Sequence, residues 1–344
     1  MESRKILIIV ILVFSVLLTS FSFYIYQVIK TPNVLVERQD KYIYIPSGAS
    51  FKNVQDSLYN GQYVHDLVAF SVIAKFLKYD QQVKPGVYLL RSNMSNLDAV
   101  RLLKSGEQSP INLTFNNVRL KEELAEKLTR NLELTKKEFE EHLKDPETAK
   151  KYGFNEYNFL AMFIPNTYEV YWNISAEQLT DRMHAEYKRF WNEERIQKAK
   201  NLYLTPEEVT TLASIVLAES IKIDEGPVIA GVYLNRLERN MPLQADPTLV
   251  YAAGDFSIKR VLNVHKEIDS PYNTYKYQGL PPGPINLPSI TAIEAVLHAK
   301  DHKYLYFCAK DDFSGYHAFA TNLADHMKNA RRYQQALNRA KLYK

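Results

Sequence analysis

Cysteine is nearly absent from this chain. Cys308 is the single thiol in 344 residues, which excludes an intrachain disulfide and any cysteine-built metal centre. It falls in Tyr304-Leu305-Tyr306-Phe307-Cys308, a run that reads as a buried strand, so a nucleophilic role is not expected. A surplus of one charge is missing too. Beyond residue 30 the basic and acidic side chains number 40 and 38, whereas a nucleic-acid binder concentrates basic charge. No nucleic-acid partner is therefore expected. There is no repeat at a solenoid period and no low-complexity run. What is plentiful is tyrosine, 24 in all. Its flat face and hydroxyl suit both sugar contact and half-buried strand positions.

Charge disappears altogether between Ile6 and Ile29. Such a segment, roughly 24 residues at about 1.5 Å each, exceeds a hydrocarbon core of ~30 Å. Arg4 and Lys5 precede it, which predicts a cytoplasmic N-terminus and an extracytoplasmic remainder at the plasma (inner) membrane. A cleaved signal peptide is the alternative, with Ser20-Phe21-Ser22 as a weak cleavage site. However, the apolar run continues through Phe23-Tyr24-Ile25-Tyr26, longer than a signal core needs. Residues 1–30 are read as an uncleaved anchor, with Tyr24 and Tyr26 at the outer interface.

After a short linker around Thr31-Pro32-Asn33, residues 31–110 read as a small α/β module. Lys41–Pro46 alternates like a strand, Phe51–Leu58 and Asp66–Leu77 like helices, Gly86–Leu90 like a second strand, and Asn96–Lys104 like a closing helix. Residues 111–204 form a linking strand and helical region: Ile111–Phe115, Leu120–Leu132, a charged stretch Lys136–Lys151, a Pro-containing turn at Phe163–Tyr168, and an amphipathic stretch Ala176–Leu202. Residues 205–344 form the candidate catalytic domain. The fold class is α+β: one membrane helix, a small module, and a mixed α/β domain.

The best-signalled helix begins at Thr205-Pro206-Glu207-Glu208, a capping box with proline in the first turn. Val209, Leu212, Val216 and Glu219 then share one stripe. A carboxylate on an apolar stripe near a helix C-terminus is pushed toward its neutral form by desolvation and by the dipole. That suits a glycosidase-type general acid. The plain alternative is a buried Glu219 paired with a cation such as Arg236. Asn240 reads as a helix C-cap and Asp246 as the cap of a short helix ending at Gly254. Gly279–Ile285, with three prolines and two glycines, reads as a stiff loop.

Several ordered runs together resemble the endolytic murein transglycosylase (YceG-like) family. They are Leu212–Val216 with Glu219, Gly231–Leu237, Met241–Thr248, Tyr272–Tyr275, Gly279–Ile285, and His317-Ala318-Phe319 with Thr321–His326. The anchor and the Phe163–Tyr168 turn fit as well, and residues 31–110 resemble the family's LysM-like subdomain. Many relatives carry Glu where this chain has Leu217, leaving Glu219 the only acid in that turn. The resemblance implies a lyase that cuts peptidoglycan between N-acetylmuramic acid and N-acetylglucosamine, with Glu219 catalytic. Asn235, Gln244, Asp246, Tyr272, Asn273, Tyr275, His317 and His326 are the implied substrate contacts. No metal and no cofactor is expected. Glycan strands, the membrane and peptidoglycan synthases are the expected partners, with cutting of nascent strands close to the bilayer. Two alternatives remain open: a muramidase using Asp246 as second carboxylate, and a non-catalytic wall-binding scaffold.

Overall fold

A computed structural model describes residues 2–340. The chain forms two compact units. The first comprises residues up to Asn112 together with Asn131–Leu134 and Glu169–Ile174; the second comprises the rest. Residues 111–204 divide between the units, because two short returns of the chain pack with the first.

The first unit runs α1 (Glu2–Lys30), β1 (Pro32–Val34), β2 (Lys41–Ile45), α2 (Phe51–Asn60), α3 (Leu67–Phe76), β3 (Gly86–Leu90), β4 (Met94–Ser95) and α4 (Asn96–Ser105). Strands β2 and β3 pair antiparallel with Ile43 opposite Tyr88. Alternation along β2 sends Ile43 and Ile45 inward and leaves Tyr42 and Tyr44 exposed. Phe70, Tyr79, Leu90 and Val100 complete the core around them. Helix α1 is apolar and long enough to cross a membrane. The expected linker after it does not exist as such. Val28 and Ile29 pack against the module's core, and Asn33 is buried in β1. Asn96 Nδ2 donates to the Val28 carbonyl at 2.9 Å, and Asn33 Nδ2 donates to Asn96 Oδ1 at 2.6 Å.

The chain continues through β5 (Ile111–Thr114), α5 (Lys121–Thr129), α6 (Lys136–Lys144), α7 (Pro146–Lys151), β6 (Thr167–Val170), α8 (Ala176–Phe190), α9 (Glu193–Asn201), α10 (Pro206–Glu219), α11 (Gly226–Glu238), α12 (Asp246–Ala253), α13 (Asn263–Lys266), α14 (Ile290–Leu297), β7 (Tyr306–Ala309), β8 (His317–Ala320) and α15 (Leu323–Arg339). The charged stretch Lys136–Lys151 and the amphipathic stretch Ala176–Leu202 each form two helices. Pro146 cannot continue α6, so Asp145 ends it and caps α7. Asn192 likewise caps α9 after α8 stops at Phe190.

Helix α10 is the axis of the second unit, packed by α11, α12 and α14. Residues Val209–Val216 are buried without a break, Thr210, Thr211 and Ser214 among them, so burial covers the whole circumference of this helix and not one apolar stripe. Gly231 lets α11 lie close to the segment before β7. A Cβ there would stand 2.5 Å from the Lys300 carbonyl oxygen. Cys308 lies half-buried in the β7–β8 hairpin.

Candidate active site

Burial of α10 ends abruptly at its last turn: Leu217 and Ala218 are exposed and Glu219 is half-buried. Here the helix emerges on the wall of an open cleft of about 1400 Å³. Glu219 lines it with Asp246, Tyr251, Arg119, Asn286 and Tyr333. Burial of the carboxyl is the main force on its acidity and lifts the pKa from 4.5 to about 7. The nearby charge of Asp246 pushes the same way. The Tyr233 hydroxyl, donating to Glu219 Oε1 at 2.6 Å, and the charge of Arg236 pull it down. At neutral pH the acid is therefore poised between its two forms, as general acid–base work requires.

Arg236 does not pair with Glu219. Its guanidinium donates to the carbonyls of Leu305 (2.6 Å), Leu243 (2.8 Å) and Pro242 (3.2 Å). The end of α11 explains why those carbonyls are in reach. Asn240 adopts φ +52° just past the helix, and two bonds close a Schellman motif: Met241 N–H to Arg236 O and Asn240 N–H to Leu237 O. The chain doubles back, and Pro242 and Leu243 meet the arginine.

Gln244 follows with φ +49° and an exposed side chain. Its N–H donates to Thr274 O at 3.0 Å, tying it to the 272–275 loop. Asp246 is the first residue of α12, not its cap; Ala245 occupies the cap and makes no side-chain bond. The Asp246 carboxylate is thereby released to the cleft, where the Tyr275 hydroxyl donates to it at 2.5 Å.

Other expected contacts face inward. Asn273 is fully buried: its amide donates to the carbonyls of Lys266 and Ile268, and its Oδ1 accepts from the N–H groups of Tyr275 and Lys276. It organises the loop and offers no free polar atom. Tyr272 is buried against Tyr251, ring centroids 4.6 Å apart, and has no open face for a sugar. Asn235 donates to the carbonyls of His302 and Tyr304, pinning α11 to the approach to β7. His317 bonds buried Glu225 through both its N–H and Nδ1, each at 2.8 Å. His326 stacks on Tyr306. The two histidines have separate partners and do not converge. The stiff loop presents Gly279–Pro282 to a second cavity, and only its end, Ile285, reaches the cleft with Asn286.

Two residues escaped the sequence reading. Tyr233 sits within an apolar helical run, and its hydroxyl was the only polar signal there. Asn286 follows the stiff loop; its Nδ2 donates to Ser214 O at 2.9 Å, while its buried Oδ1 has no partner among the described residues.

Fold and site together define a mixed α/β protein with one carboxylic acid, held near neutral pKa, in the wall of an open cleft. The chain matches the YceG-like family over residues 43–332 and belongs to it. It is 31% identical to an endolytic murein transglycosylase of Bacillus subtilis, covering 86% of this chain and 85% of that one. It is 30% identical to the endolytic murein transglycosylase of Streptococcus pneumoniae strain D39, covering 94% of this chain. The match spans 64% of that longer relative. A crystal structure of a YceG-like protein from Listeria monocytogenes superposes with TM-score 0.55 at 26% identity, over 84% of this chain and 98% of that one.

Proposed function

We propose that this chain is an endolytic lytic transglycosylase that cleaves the β-1,4 bond from N-acetylmuramic acid to N-acetylglucosamine. The observation that carries the proposal is Glu219: a carboxyl lifted to about pKa 7 by burial, in a cleft open enough for a polymer. Protonated Glu219 gives its proton to the glycosidic oxygen as the bond to the muramyl C1 breaks. The muramyl 6-hydroxyl oxygen then bonds to C1, and Glu219 takes back the hydroxyl proton as the 1,6-anhydro ring closes. No water is consumed, so one carboxyl suffices.

Within this reading Asp246, oriented by Tyr275, faces positive charge developing at C1, and Gln244 and Asn286 hold sugar hydroxyl or N-acetyl groups. Asn273, Tyr272 and Asn235 position the loops that carry these contacts. The β-α-α-β order of the first unit supports a LysM-like role in holding the strand. The apolar α1 supports anchoring in the membrane beside the synthases that extrude new glycan.

Asp246 in the same cleft favours one rival, a hydrolase with two carboxylates. Mass spectrometry of purified peptidoglycan digested by the protein separates the two. Internally cut strands ending in 1,6-anhydro-muramic acid are expected; reducing muramic ends would establish hydrolysis and overturn the lyase reading.

A further inference from the structure

Helix α3 is apolar on nearly every side. Ala69, Phe70, Ile73 and Ala74 are buried in the first unit's core, yet its outer side also carries apolar residues. Val68, Val72 and Phe76, spaced four apart, are 72%, 53% and 82% exposed. A helix hydrophobic all round belongs in an apolar surround on both sides, and this one has protein on one side only.

Its place in the chain says what covers the other. Helix α3 packs on α1, whose last turn, with Val28 and Ile29, is fixed into the module. The uncharged stretch Ile6–Ile29 is about 36 Å long at the helical rise, some 6 Å more than the ~30 Å hydrocarbon core. The excess is one helical turn; with α1 read as the anchor and its last turn held by the module, that turn is placed in the headgroup layer. An element packed on that turn, about 10 Å across, cannot clear the bilayer surface. Lys75 in the last turn of α3 and Lys78 just past its end are exposed, where interfacial helices place lysines facing lipid phosphates.

We propose that α3 is a second membrane contact: Val68, Val72 and Phe76 enter the headgroup–acyl boundary, and the lysines meet phosphates. The module then lies against the bilayer at a fixed depth, held at two points. The proposal rests on the reading of α1 as a membrane anchor, and the test separates the two.

The full chain, with Cys308→Ser as background, is reconstituted into nanodiscs of phosphatidylcholine and phosphatidylglycerol. Leu17→Cys or Phe76→Cys carries an environment-sensitive fluorophore, and spin-labelled lipids serve as quenchers. The expected result is loss of emission at position 17 with deep quenchers and at position 76 with shallow ones, with a blue shift at 76. Quenching at 17 beside a water-like, unquenched spectrum at 76 overturns the proposal and leaves the anchor standing. A blue-shifted but unquenched probe at 76 means that protein, a second copy or a partner, covers the face, and also overturns it. If neither position is quenched, the anchor reading fails and the proposal falls with it.

Discussion

Glu219 has opposite consequences for chemistry and for stability, and both follow from one displaced pKa. Its folded pKa of about 7 lies above the ordinary 4.5, so between these values the native state holds a proton that the unfolded chain has released. The stability tied to that proton is complete below about pH 4.5 and is lost as pH rises through about 7, amounting to about 3 kcal/mol at most. Glu219→Gln, neutral at every pH, is expected to melt with the parent at pH 4 and above it at pH 8, while glycan cleavage falls at least ~10²-fold. Loss of activity without the alkaline gain in melting temperature would mean that the carboxyl is not buried as described. Tyr233→Phe removes the hydrogen bond that holds this pKa down. The alkaline limb of its pH–rate profile, near pH 7 in the parent, is therefore expected to move to higher pH. An unmoved limb would show that the hydroxyl does not govern the acid.

At the scale of elements, the end of α10 meets α12 and α15 around the cleft, and the loop beside it is locked by polar groups that never reach it. Asn273 is the clearest such lock. Asn273→Ala deprives two carbonyls of donors and two N–H groups of an acceptor, costing roughly 2–4 kcal/mol. Because Tyr275 and Gln244 are held by the same loop, KM is expected to rise while the alkaline limb stays at the parent's pH. A shifted limb would mean that the loop acts through Glu219 instead. This division of labour explains what the sequence could tell. Periodicity and caps located α10, and the last residue of that helix was legible as an acid in the wrong surroundings. The 272–275 loop was legible as important, but the direction of its side chains was not. Asn273 points inward to the Lys266 and Ile268 carbonyls, Tyr272 inward onto Tyr251, and Tyr275 outward to Asp246, partners that no local pattern encodes. Asp246 read as a cap because Asp before Pro starts helices. A shift of one residue turned it from backbone partner to cleft wall. Tyr233 was hidden because a tyrosine in an apolar helical run usually signals packing alone.

For the whole molecule, the junction after α1 decides how any soluble form should be made. The natural cut suggested by sequence, near Asn33, passes through a buried strand residue and discards Val28 and Ile29, which belong to the first unit's core. It also discards the Val28 carbonyl that accepts from Asn96 Nδ2, leaving that buried donor unpaired. A chain starting at Thr31 is thus expected to lose roughly 2–4 kcal/mol from the first unit by lost burial and an unmet hydrogen bond. A chain starting at Gln27 keeps the turn and escapes most of that loss. Hydrogen exchange in α3 and α4 gives the measure: protection should collapse in the shorter form and persist in the longer one, with α10 protected in both. Equal protection would mean that the last turn of α1 is a spacer and not part of the fold. The comparison also governs any test of tethering in cells. Failure of the Thr31 form to restore glycan length would confound detachment with unfolding, whereas failure of the well-folded Gln27 form isolates the tether. With that form exported at equal abundance, tethered cutting of nascent strands predicts that long glycans persist. Restoration of normal length would show that attachment is dispensable.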